Sequence, residues 1–355
     1  DVLSLEKQIA SEISSALKLK LTGADRDRLQ RQYTVSADAH GLYLKGRHSW
    51  NKRSEEELKH AAEYFRTAVD IDPDYALAHS GLADCYIVLA GFGFLSLAEA
   101  FPKAKSAALR ALEIDNSIAE AHASLAFVTG CYEWDWIEEG RRYKHAIELG
   151  PTYATTLHWY SFHLVRMGLI DEAISVSRRA VDLDPLSLQI SVNLGYWYFV
   201  AGEYDKSRKQ CLKAIETDPN YHYAHTVLGI IHAQKGKYEE ALDELAHAAD
   251  LSGGGPENLA YLGYAYALAG MEENARKILK GFAERAKNRY VSPCFSALIH
   301  AGFGEKNKTI EWLYKAYEER DYYLSYQLFE PCYDFLRNDT RFSSLLLRMG
   351  PGPLL

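Results

Sequence analysis

Thirteen histidines, five cysteines and several adjacent acidic pairs could ligate a metal, act as nucleophiles or relay protons. His222 and His225 stand three apart, with His232 two helical turns on, a spacing that could bring imidazoles to one helix face around a metal. Against this, His79, His122 and His225 hold the same place in a repeating unit, and such recurrence argues for packing between helices. Cys85, Cys131, Cys211, Cys294 and Cys332 are odd in number and widely spaced, with no CxxC, which suits neither a disulfide framework nor a zinc site. They are expected to be buried, reduced thiols in a reducing, cytoplasmic compartment. Glu138-Glu139 and Glu239-Glu240 open helices and read as solvated charge that complements the helix dipole. No GxxxxGK[ST], GxSxG or HExxH is present, and Gly91-Phe92-Gly93 and Gly302-Phe303-Gly304 lack the third glycine of a dinucleotide loop. The residues therefore predict no enzyme, no cofactor and no metal.

Net charge points the same way, toward a protein partner. The formal charge is -8, and no lysine–arginine cluster could displace counterions from a phosphate backbone, so nucleic acid is not an expected partner. An anionic membrane surface is disfavoured for the same reason. No apolar run approaches the roughly 18 residues of a membrane-spanning helix. The first residues, Asp1-Val2-Leu3-Ser4, lack an initiator methionine and a signal pattern, so the chain is expected to be cut from a longer protein.

The elements that would position any site are set by a ladder of small residues. Ala68, Ala111, Ala146, Ala180, Ala214, Ala248, Phe282 and Ala316 are separated by 43, 35 and then 34 residues five times running. Counting the ladder as place 27 of a unit, place 8 holds Ala83, Ala126, Ser161, Gly195, Gly229, Gly263 and Ala297. Place 20 holds Ala61, Ala104, Ala173, Ser207, Ala241, Ala275 and Thr309, with Glu139 as the exception. Two antiparallel helices approach to about 8–10 Å only where small side chains meet at the crossing. Pro73, Pro151, Pro185 and Pro219 then stop the second helix of each pair.

This pattern resembles the tetratricopeptide repeat (TPR) family. The resemblance implies an all-α fold, a right-handed superhelical solenoid of about eight helix-turn-helix repeats with terminal helices. The units are 37–73, 76–116, 119–151, 154–185, 188–219, 222–253, 256–287 and 290–320. Two departures stand out: an insertion at Gly91-Phe92-Gly93-Phe94-Leu95, and Trp134 and Trp136, which are expected to plug the core near a turn.

The ends divide the chain further. Residues 1–21 have Val2, Leu5, Ile9, Ile13, Ala16 and Leu17 at helical spacing, so 1–36 is read as an amphipathic helix and connector closing a missing upstream domain. Residues 37–320 form the array. Residues 321–355, rich in Tyr322, Tyr323, Tyr326, Phe329, Tyr333 and Phe335, are read as a capping segment over the apolar end of the last repeat. The stretches DVLSLEKQIASEISSALKLKLTG and FLRNDTRFSSLLLRMG resemble the C-terminal half of large bacterial signalling proteins. There a TolB-like module and TPRs follow a winged-helix DNA-binding domain, a nucleotide cyclase or a Ser/Thr kinase. That resemblance implies a regulatory or sensor fragment.

The first helix of each pair should line a concave groove, and steps of three and four return to one face. On that face lie Phe127, His158, Phe162, Arg166, Gln189, Tyr196, Phe199, Tyr223, Ile230 and Tyr264. The lysine–asparagine clamp with which some TPR proteins grip a C-terminal carboxylate is absent. An exposed aromatic groove would suit an extended peptide or a helix, with Phe162, Arg166 and Tyr196 as anchors. The expected partner is a protein or peptide. A second copy of the chain, joined through helix 1–21 or the groove, is another possible arrangement, and a sensor for a glycan, lipid or signal peptide is the alternative function.

Overall fold

The computed structural model describes residues 34–349 and, ahead of them, Gln8, Ile9 and Glu12; the rest of the expected 1–21 helix lies outside the described residues. Among the described residues every regular element is helical. Eight consecutive pairs follow the ladder. They are α1 (Ala37–Lys52) with α2 (Glu55–Ile71), α3 (Ala76–Gly91) with α4 (Leu97–Ile114), and α5 (Ala119–Val128) with α6 (Trp136–Leu149). Next come α7 (Ala154–Arg166) with α8 (Ile170–Leu183), α9 (Leu188–Val200) with α10 (Tyr204–Thr217), and α11 (His222–Gln234) with α12 (Tyr238–Leu251). The last are α13 (Pro256–Leu268) with α14 (Glu272–Arg285) and α15 (Pro293–Gly302) with α16 (Lys306–Glu318). A short helix α17 (Leu324–Gln327), a 3-10 turn at Pro331–Leu336 and a helix α18 (Thr340–Arg348) follow and complete the described residues. This is the architecture of a TPR array.

The sequence explains the pairing. Every ladder alanine is buried to within 1% of full exclusion from solvent, which confirms that the period marks the helix crossings. Ladder carbonyls also terminate the second helices: the amides of Asp72, Asp115, Asp184 and Asp218 donate to Ala68, Ala111, Ala180 and Ala214 at 2.9–3.0 Å. At place 8 the small residue is required: a Cβ on Gly229 would lie 2.5 Å from Leu245 Cγ. Between the helices of the later pairs, Gly168, Gly202, Gly236, Gly270 and Gly304 all have φ between +69° and +75°, the left-handed turn that a glycine adopts without penalty.

The chain divides into two compact units. The first holds the described residues through Val128 together with Lys144–Gly150; the second holds Thr129–Tyr143 and Pro151 onward. In the first, Asp84 on α3 is only 1% exposed and accepts from Arg47 at 2.8 Å and from Ser124 Oγ at 2.6 Å. Phe92 and Phe94 of the insertion pack edge to face on each other, 6.0 Å between centroids. Phe127 is buried edge-on against Phe101.

The second unit opens with a π turn at Thr129–Glu133. Trp136 is buried and donates to the Gly130 carbonyl, while Trp134 packs on Tyr317 at 5.5 Å. The exceptional Glu139 is not solvated, contrary to the reading of its acidic pair. It is fully buried, ion-paired to Arg166, and 2.9 Å from His163 Nδ1. Room for it comes from Gly130, where a Cβ would fall 2.0 Å from Glu139 Cδ.

The histidines at the repeated place are structural. His79, His122 and His225 each bring Nε2 within 2.9–3.0 Å of a turn carbonyl six residues earlier, that of Pro73, Asn116 and Pro219 respectively. Among the described residues no group of three or more metal-binding side chains gathers, and no helix is long and apolar enough to cross a membrane. All five cysteines are free and buried; burial pushes the Cys131 and Cys211 thiols up to about 12, so they are not poised as nucleophiles.

Candidate functional site

The face expected to be an open groove is closed in the second unit by the chain's own C-terminal segment. Phe162, Arg166, His158, Tyr196, Phe199, Ile230 and Tyr264 are all less than 9% exposed, and Gln189 and Tyr223 are half-buried. Phe127 of the first unit is buried as well. The expectation that these side chains face solvent is therefore corrected for the eight that are buried. For Phe162, Arg166 and Tyr196 the cover is on the same chain: an aromatic segment from Asp321 to Leu336 lies along α7, α9, α13 and α15 and shields these side chains from water. The segment expected to cap the last pair meets α15 of that pair and reaches further, to α7, α9 and α13. The terminal part sits against α16, where Arg341 Nη2 donates to Asn307 and Tyr314 OH donates to the Arg341 carbonyl, both at 3.0 Å.

The segment is fixed at two buried carboxylates. Asp321, 1% exposed, accepts from Tyr290 OH at 2.7 Å, from Ser292 Oγ at 3.0 Å and from the Leu324 amide at 3.2 Å. Burial nevertheless holds its carboxyl above the usual aspartate range. Downstream, Glu330 Oε1 accepts from Tyr196 OH at 2.5 Å and from Tyr261 OH at 2.7 Å. Burial pushes Glu330 up to about 7. Glu257 on α13, also raised to about 7 by burial and by the nearby Glu330, is hydrogen-bonded by Tyr323.

Between these anchors the contact is aromatic. Tyr326 meets Phe162 edge to face at 5.4 Å, Tyr196 at 6.3 Å and Trp197 at 6.4 Å. Phe162 in turn meets Trp197 at 4.9 Å and His158 at 5.5 Å. Tyr323 stacks edge-on against Phe295 at 4.7 Å. Such pairs add about 0.5–1.5 kcal/mol each beyond their buried area. Arg166 reaches Ser325 Oγ at 3.4 Å, so the buried Glu139 pair touches the segment directly. Burial works against charge on Arg166, but the Glu139 carboxylate more than offsets it and holds the guanidinium above its usual range.

Of the ten expected residues, Phe162, Arg166 and Tyr196 touch the segment. The others serve neighbours: Phe199 stacks on Tyr196, Gln189 accepts from Tyr221 OH at 2.9 Å, and Tyr264 OH accepts from Gln234 at 2.8 Å. Sequence reasoning missed Tyr261, Glu330 and Ser325 as contact residues. The available signal was the density of tyrosines in 322–333, far greater than one end cap needs.

Comparison with known proteins agrees with this fold. Two family models described as tetratricopeptide repeat match residues 163–222 and 211–243. The transcriptional regulator HilA of Salmonella typhimurium is 26% identical over 177 residues, which is 50% of this chain and 32% of that protein. The chain thus spans about a third of the curated relatives it matches. Among solved structures, a monomeric IFIT1 mutant with Gppp-AAAA aligns with 98% of this chain and 75% of its own, at a TM-score of 0.58 and 15% identity. Yeast Tom70 aligns with 89% and 69% at a TM-score of 0.52, also 15% identical. Both likenesses concern the fold alone.

Proposed function

We propose that this chain is a non-catalytic protein-interaction module, the regulatory part of a larger bacterial signalling or transcription-regulatory protein. The first helices of its second unit take a short protein segment. The observation that carries this reading is the resident segment itself. A run of about sixteen residues already lies on the face that Phe162, Arg166 and Tyr196 build, held by edge-on rings and buried hydrogen bonds. A surface that seats one aromatic peptide has the shape and chemistry to seat another. The partial likeness to HilA supports a regulatory setting.

The test uses the full chain and peptides selected from a random library for binding to it. Phe162→Ala should weaken binding at least tenfold in protein whose circular dichroism and melting show a folded array. Unchanged affinity would place the contact on another face.

A further inference from the structure

The resident segment shows what chemistry this face reads. Tyr196 and Tyr261 come from different helices, α9 and α13, yet their hydroxyls converge on a single oxygen, Glu330 Oε1. Gln327 Nε2 lies 3.4 Å from the Tyr261 oxygen, which leaves that phenol's proton for the carboxylate. Cys332 Sγ sits 3.4 Å from the other oxygen, Oε2. The donors are neutral, so the point accepts a carboxyl group without presenting a cation. Aromatic rings flank it: Tyr326 on the segment side and Phe199 on the helix side of Tyr196.

The fit is also incomplete. Gln327 Oε1 and Arg166 Nε are buried and find no hydrogen-bond partner among the described residues. Buried polar atoms left unmatched weaken a docked segment, and a competing segment that satisfies them gains on it. Asp321 and Glu330 are both carboxylates carried into a desolvated site, a further cost of the closed arrangement.

We propose that the Tyr196–Tyr261 pair is a carboxyl-reading subsite, and that residues 321–336 are a self-ligand displaced by a partner segment with aromatic residues around one aspartate or glutamate. This rests on the interaction-module reading and adds to it a specificity and a closed state. The closed state is intramolecular, so an incoming segment competes against a high effective concentration of the resident one. Binding is therefore weak until the self-ligand is released.

The experiment uses a fluorescently labelled synthetic peptide with the sequence of residues 320–337, and the same peptide with Glu330→Gln. Both are titrated into the full unmodified chain and into a full chain carrying Leu324→Asp, which expels the self-ligand because Leu324 is fully buried. The opened chain should bind the glutamate peptide at least tenfold more tightly than the unmodified chain does. The glutamine peptide should bind the opened chain at least tenfold more weakly. Adding Tyr196→Phe and Tyr261→Phe should erase that difference. Equal binding to opened and unmodified chains, or no binding to a folded opened chain, overturns the self-ligand. Equal binding of the two peptides to the opened chain overturns the carboxyl subsite. A Phe162→Ala change in the opened chain separates these failures from loss of the groove itself: peptide binding that survives it removes the groove reading. Should Leu324→Asp fail to fold, hydrogen exchange on the unmodified chain decides. Amides of 322–336 should exchange through an opening that leaves α9 and α13 protected, and protection equal to those helices overturns the proposal.

Discussion

The two units settle buried polar groups on their inner helices by different routes. In the first, Asp84 takes Arg47 from the pair before and Ser124 from the pair after, partners 37 and 40 residues away in sequence. In the second, Arg166, Tyr196 and Tyr261 reach partners 159, 134 and 69 residues downstream. A repeat array is held mainly by contacts between neighbouring repeats, so the first arrangement is what stacking alone produces. The second needs a segment to return along the array, and it makes the unit's stability depend on those sixteen residues.

The largest expected effect breaks this contrast at its charges. Glu139→Ala leaves Arg166 buried and unpaired and should cost about 3–5 kcal/mol. Asp84→Ala removes one partner of Arg47, whose side chain is 21% exposed, still stacks over Trp50 at 4.3 Å and can recruit water, so about 1–3 kcal/mol is expected. Urea unfolding of the two variants gives the comparison, and equal losses would remove the distinction between the units.

The next prediction concerns pH. Glu330 titrates at about 7 when docked, against an ordinary 4.5, and Glu257 shifts in the same direction. The facing groups are Tyr196 on α9, Glu257 and Tyr261 on α13, and Cys332 within the segment; none carries positive charge. Because the docked values are raised, the stabilisation is full below about pH 4.5 and is lost as pH rises toward about 7, up to about 3 kcal/mol for a fully buried group. Hydrogen exchange of 322–336, corrected for the intrinsic rate, should therefore show progressively easier opening from pH 4.5 to 7. A flat profile for 322–336 would contradict the assignment.

Ala214→Leu should overpack the α9–α10 crossing at a cost of about 1–3 kcal/mol, read as a lowered melting temperature. Wild-type melting would mean that the ladder does not mark the crossing. The smallest effect is Gly236→Ala, which places a Cβ at φ +72° with open space around it and should cost about 1 kcal/mol in urea unfolding.

The array was legible because each of its rules is local. Alanine or glycine recurs where helices cross, and a proline or glycine recurs where the chain turns. The positive-φ glycines from Gly168 to Gly304 form a second ladder of the same period and could have been read alongside the first. Even the exception at Glu139 was visible, although its partner Gly130 and its burial were not. Phe162, Arg166 and Tyr196, expected on one helix face, are the three of the ten that meet residues 321–336. What periodicity could not reveal was the occupant of that face. Residues 321–336 carry no repeat, and an aromatic run reads the same whether it caps the last pair or lies along the array. Only the three-dimensional meeting of Glu330 with Tyr196 and Tyr261 separates the two.

The most direct measurement is of the ring contacts that close the second unit. In full chain with selectively labelled aromatic residues, nuclear Overhauser cross-peaks should connect the Tyr326 ring to the rings of Phe162 and Trp197, whose centroids lie 5.4 and 6.4 Å away. Their absence, with Tyr326 at the chemical shifts of a free, solvated tyrosine, would show that the segment does not occupy this face.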